Sequence, residues 1–134
     1  MQSPSSHDGT ARAVRAAERV CLTAADGYPI AATRFAPRGT TRGHLVVAGA
    51  TAVPQHFYRG FAEFAATAGY ATLTFDYRGI GRSAPAALRG FRMDFSDWGR
   101  LDLAAAVDAM SRRGVPLYLV GHSHGGHAFG MLPN

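Results

Sequence analysis

Near the end of the chain a serine stands between two histidines and two glycines, in Gly121-His122-Ser123-His124-Gly125. The pattern G-x-S-x-G is the spacing of a nucleophile elbow, a sharp strand-to-helix turn that lifts a serine hydroxyl clear of its surroundings. Such a hydroxyl attacks an acyl carbon once a base takes its proton and N–H donors receive the charge developing on the substrate oxygen. The glycines have a steric task in that turn. Its central residue is held in a strained conformation, and side chains at 121 and 125 would collide with their neighbours. The backbone N–H of His124 is then free to donate to the oxyanion. The plain alternative is a tight glycine turn carrying an incidental serine. With 16 glycines in the chain the motif alone does not decide.

The elements that must position Ser123 are legible in the hydrophobic pattern. "ERVCLTAADGYPIAATRFAP" reads as a hairpin turning around Asp26-Gly27, and "HLVVAGA" as a fully buried strand. After Pro54 the spacing predicts a helix whose apolar face carries Phe57, Phe61, Phe64, Ala65 and Ala68, stopped by Gly69. "YATLTFDY" is the next strand, followed by a loop from Arg78 to Asp94. A second helix is expected from Ser96 to Arg113, with Leu103, Ala106, Val107 and Met110 on one face, an Asp108–Arg112 pair, and Gly114 at its end. "VPLYLV" reads as another buried strand and runs straight into the serine turn. Strands alternating with amphipathic helices imply an α/β fold: a mostly parallel sheet, an antiparallel N-terminal hairpin, and helices on both faces.

Three segments in this order resemble the α/β-hydrolase family, and more narrowly its serine aminopeptidase-like branch. "VVAGATAVPQHFY" sits where the family places its oxyanion loop, after the third strand. "FDYRGIGRS" is similar to the D-x-R-G-x-G-x-S segment after the fourth, and "GHSHGG" to the elbow after the fifth. The likeness runs from about Val20 to Asn134. It implies Ser123 as nucleophile and the His124 N–H as one oxyanion donor. It implies a second N–H donor at Ala50, with Thr51 the alternative. It implies a small-molecule acyl substrate and no cofactor. Ala48 departs from the histidine usual in the loop, and His124 from the apolar or amide residue usual after the serine.

The family's acid and base follow the nucleophile in the order Asp or Glu, then His. After Ser123 there is no acidic residue, and the only histidines are His124 and His127; His7, His44 and His56 precede the elbow and match no triad position. The expectation is therefore that residues 18–134 form the N-terminal half of a longer hydrolase domain, preceded by a flexible tail over 1–17. Alone it would be nearly inactive, since loss of the base in such a triad costs on the order of a million-fold in rate. The other expectation is a non-catalytic binding module. "VPLYLV" would then be an open sheet edge suited to self-association.

Composition narrows the remaining classes. A chain that is 47% hydrophobic and 17% charged reads as globular. It has no apolar run near the ~20 residues of a membrane helix, and no secretory signal core at its start. A cytoplasmic protein is expected, with no membrane partner. The net charge of +5 invites nucleic acid. Yet every basic residue is arginine, and the nearest thing to a patch, from Arg78 to Arg100, is interrupted by Asp94 and Asp97; no nucleic-acid partner is expected. His122, His124 and His127 do not share a metal-ligand arrangement, so no metal is expected. Gly79-Ile80-Gly81 opens no helix and is no dinucleotide fingerprint. Asp76 and Arg78 read as structural. The single cysteine, Cys21, excludes an internal disulfide and is expected as a buried thiol in a strand.

Overall fold

The computed structural model describes residues 17–133, so nearly all of the expected 1–17 tail lies outside the described residues. Five strands form one mixed sheet: β1 (Ala17–Thr23), β2 (Pro29–Phe35), β3 (Gly43–Ala48), β4 (Tyr70–Phe75) and β5 (Leu117–Gly121), in the order β1-β2-β4-β3-β5. β1 and β2 pair antiparallel around Asp26-Gly27, where Gly27 takes a positive φ of 88° that suits it to the turn. β2 also runs antiparallel to β4, whereas β4–β3 and β3–β5 are parallel. The parallel half is the half that carries the serine.

A 3₁₀ turn (Gln55–Tyr58) leads into α1 (Arg59–Thr67) between β3 and β4. Between β4 and β5 runs a composite helix. It has an α-turn (Phe95–Asp97), a π-helical stretch (Trp98–Leu103), and α2 (Ala104–Met110). Asp94 starts it with a reciprocal capping box to Asp97. Leu103, Ala106 and Met110 are buried as the helical period requires. The helix stops at Met110, three residues short of Arg113, and Asp108–Arg112 is not among the ion pairs of the described residues. His44 closes that end, its Nδ1 2.6 Å from the Met110 carbonyl oxygen. After β5 comes α3 (His124–Ala128), ending in a 3₁₀ turn.

Helices cover both faces of the sheet. The larger core lies under α2 and α3, where Ile30, Val46, Leu73, Phe75, Trp98 and Leu103 pack together. The smaller lies under α1 and joins Phe35 to Ala62 and Ala66. Here the expected phenylalanine face is corrected. Ala62, Ala65 and Ala66 meet the sheet, while Phe57, Phe61 and Phe64 are 67%, 44% and 71% exposed. The small side chains let α1 lie close over β4, whose Thr72 and Thr74 are buried beneath it, and that close approach turns the bulky residues outward.

Two further expectations are corrected. Cys21 is exposed, because β1 pairs with a single neighbour and turns Val20 and Leu22, not Cys21, toward the core. β5 is only half-buried, with Tyr118 49% exposed, since it lies at the rim of the sheet beyond β3.

Candidate active site

The strand order brings two loops together. From β3 the chain crosses to β4 on one side, then returns to β5 on the other. At such a reversal the loops at the carboxyl ends of β3 and β5 border a crevice. The register is tight: Ala48 pairs with Gly121, and the His122 N–H donates to the Ala48 carbonyl oxygen at 3.0 Å. Ala50 and Thr51 therefore stand beside the turn that carries Ser123.

Ser123 has φ 54° and ψ −112°, a strained conformation for a non-glycine residue, and its side chain is exposed. The surroundings impose it. A Cβ on Gly125 would lie 2.0 Å from the Ala48 carbonyl oxygen, and one on Gly121 would lie 2.5 Å from the Gly126 nitrogen. Both glycines thus permit the close approach of β3, β5 and α3. Gly126, by contrast, faces open space. The His124 N–H stands first in α3, with no helical carbonyl four residues back to receive it.

The loop after β3 is held just as closely. Ala52 carries a second positive φ, 60°. The Ala50 N–H donates to the Tyr58 hydroxyl oxygen at 2.7 Å, and that oxygen is 2.9 Å from His122 Nδ1. The Thr51 N–H has no partner among the described residues. Phe57 stacks on the His122 ring at 6.5 Å. Below, the buried Asp76 carboxylate accepts from the Gln55 N–H and side-chain amide, both at 2.8 Å, and from the Arg82 N–H at 3.1 Å. Asp76 thereby ties the loop after β3 to the loop after β4. Arg78 does the same for the hairpin. Its guanidinium bonds Asp102 at 2.8 Å and Asp26 at 2.7 Å, and lies over the Tyr28 ring. Burial pushes the Asp102 carboxyl up to about 6, although Arg78 donates to it from both backbone and side chain. Hydrogen bonding from Arg78 lowers that of Asp26.

The histidines beside the serine differ in kind. His122 is exposed and faces Tyr58. His124 is packed against Trp98, Tyr77 and Phe95, with ring centroids 5.2, 5.9 and 6.2 Å away, and its buried Nε2 has no partner among the described residues. Burial lowers its pKa, which disfavours the imidazolium form. It is an aromatic-cluster residue, unable to swing to Ser123 as a base. Among the described residues no group of three or more His, Cys, Asp or Glu side chains converges as metal ligands. The motif points to Ser123, His124, Gly121 and Gly125 and the family resemblance implies Ala50 and Thr51; the fold brings all six to the carboxyl ends of β3 and β5. Tyr58 and Gln55 carry no catalytic motif of their own; their signal is the stretch "PQHFY" that closes the loop segment after β3.

An α/β sheet with a strained serine at the carboxyl end of a parallel strand defines the α/β-hydrolase class. The family model described as "Serine aminopeptidase, S33" matches residues 40–129, more than half of the chain, and the chain belongs to that family. No curated protein sequence matches it. Solved structures do. A highly thermostable carboxyl esterase from Bacillus coagulans is similar with a TM-score of 0.68 at 16% identity, over 84% of this chain and 38% of that one. An α/β serine hydrolase without a lid from Xanthomonas campestris gives 0.65 at 20% identity, over 84% and 53%. Epoxide hydrolase A from Mycobacterium thermoresistibile gives 0.62 at 21% identity, over 84% and 33%. At these identities the likeness is one of fold. The chain thus spans between a third and about half of the length of these proteins.

Proposed function

We propose that the protein is a serine hydrolase acting on small acyl substrates through an acyl-enzyme. The observation that carries this reading is the strained, exposed Ser123 held between Gly121 and Gly125 at the end of β5. Ser123 Oγ attacks the carbonyl carbon, and the His124 N–H and the loop after β3 receive the oxyanion. In that loop the Thr51 N–H is open, while the Ala50 N–H is committed to Tyr58. Each such donor contributes about 2.7–4 kcal/mol to the transition state. The base that takes the serine proton is none of the neighbouring histidines. His122 faces Tyr58, His124 is enclosed by aromatic rings, and His127 lies one helical turn beyond Ser123 on α3, too near in sequence to turn back onto its hydroxyl. Acid and base come from a part of the protein beyond these residues, and no cofactor takes part.

Turnover of short-chain p-nitrophenyl esters and the matching anilides tests the reading and sorts ester from amide chemistry. The intact protein is expected to hydrolyse at least one series, and Ser123→Ala to abolish it. Hydrolysis that survives Ser123→Ala would contradict the assignment. A second reading, a non-catalytic module that self-associates, rests on the outer position of β5 and the exposure of Tyr118.

A further inference from the structure

The Tyr58 hydroxyl stands where the loop after β3 meets the elbow. Its oxygen accepts the Ala50 N–H at 2.7 Å and lies 2.9 Å from His122 Nδ1. Its ring is seated on Gly49, where a Cβ would come within 2.8 Å of the ring edge. A tyrosine hydroxyl has one hydrogen to give and oxygen lone pairs to receive. Ala50 uses one lone pair. His122 takes the hydrogen when Nδ1 is bare, or a second lone pair when Nδ1 carries a proton. In that second tautomer the hydroxyl hydrogen binds neither group and is available to a ligand.

Resting on the reading of Ser123 as nucleophile, we propose that Tyr58 is the side-chain donor of the oxyanion hole, released for this task by the Nδ1–H tautomer of His122. The Ala50 N–H then acts on Tyr58 rather than on the substrate. By donating to the phenol oxygen it polarises the O–H, which strengthens the bond that hydrogen makes onward. Only the direction of the hydroxyl hydrogen changes between resting and reacting states; Tyr58 keeps its proton. The arrangement also accounts for an amide at the expected donor position being already occupied.

A fluorophosphonate reports on this hole without requiring turnover. Ser123 Oγ bonds to phosphorus, the P–F bond breaks, fluoride leaves, and the serine proton passes to the base or to solvent. Meanwhile the phosphoryl oxygen carries the charge that a substrate oxyanion would. The maximal labelling rate, kinact, and the half-saturating probe concentration, KI, are measured for the wild type, Tyr58→Phe, His122→Phe and Ser123→Ala, with a thermal melt of each. Tyr58→Phe keeps the ring on Gly49. It leaves the Ala50 N–H without its acceptor, so it is expected to melt slightly below the wild type and to lose about 100-fold in kinact, with KI changed by less than about threefold. His122→Phe, which leaves the hydroxyl hydrogen unclaimed, is expected to lose less. Equal losses in the two variants, or a loss in KI accompanied by a lower melting temperature, would make Tyr58 a mere brace and overturn the proposal. Wild-type kinetics in Tyr58→Phe would overturn it too. A wild type that does not label at all overturns the reading of Ser123, and this inference with it.

Discussion

At the scale of single residues the turn is governed by where a Cβ fits. Gly125→Ala would drive a methyl group into the Ala48 carbonyl, so it is expected to cost several kcal/mol, about the range of an overpacked core, and to lower the melting temperature sharply. Gly126→Ala, one residue on, meets nothing and adds a better helix former, so it is expected to be neutral or to stabilise by about 0.5–1 kcal/mol. A melt of both variants checks the contrast. His124 offers a pH test. Burial holds its pKa below the usual imidazole value of about 6.5, so the unfolded chain binds the proton first, and stability falls as pH drops below about 6.5. His124→Phe keeps a ring among Trp98, Tyr77 and Phe95 and removes the buried Nε2. That variant is expected to lose this share of the acid slope in urea titrations at pH 5 and pH 7.5. An unchanged slope would mean that His124 does not titrate in this window.

Secondary-structure elements are tied together by two buried polar clusters, and these set the energetics of the loops. Arg78→Met would leave Asp102, fully buried, without its cation, a change that costs about 3–5 kcal/mol. Asp102 is raised toward about 6, so its protonated form favours the folded state; its contribution is present below about pH 3.8 and lost as pH rises through about 6. The loss in Arg78→Met is therefore expected to shrink between pH 7 and pH 5. A deficit that stays constant, or grows, would contradict the assigned role of Asp102. At this scale the sequence was partly legible. The glycine requirement at 121 and 125 is local, so the motif announced it. The phase of α1 was not legible, because the phenylalanine stripe and the alanine stripe both recur at helical spacing. Only contact with Thr72 and Thr74 selects the small side chains. The Tyr58–His122 link joins residues 64 positions apart in sequence and depends on the order of the strands.

For the molecule as a whole, the alternation of strands and helices was enough to reach the α/β class. The antiparallel seating of β2 on β4 was not, since pairing between strands separated by a helix leaves no periodic trace. Sheet order also determines what the edge does. With β5 outermost and Tyr118 exposed, the described residues present a strand whose outer N–H and C=O groups have no strand beside them. If that edge is open in the protein, light scattering is expected to show association that rises with concentration, and Tyr118→Lys to suppress it. A monomer at all concentrations would mean that the edge is covered.

The assignment of Ser123 as nucleophile is tested most directly by the site of covalent attack. The intact protein is treated with a fluorophosphonate, and the adduct is located by intact mass followed by peptide mapping. A single addition is expected, on the peptide containing Gly121-His122-Ser123-His124-Gly125, and none in Ser123→Ala. Modification elsewhere, or no modification of the folded wild type, would contradict it.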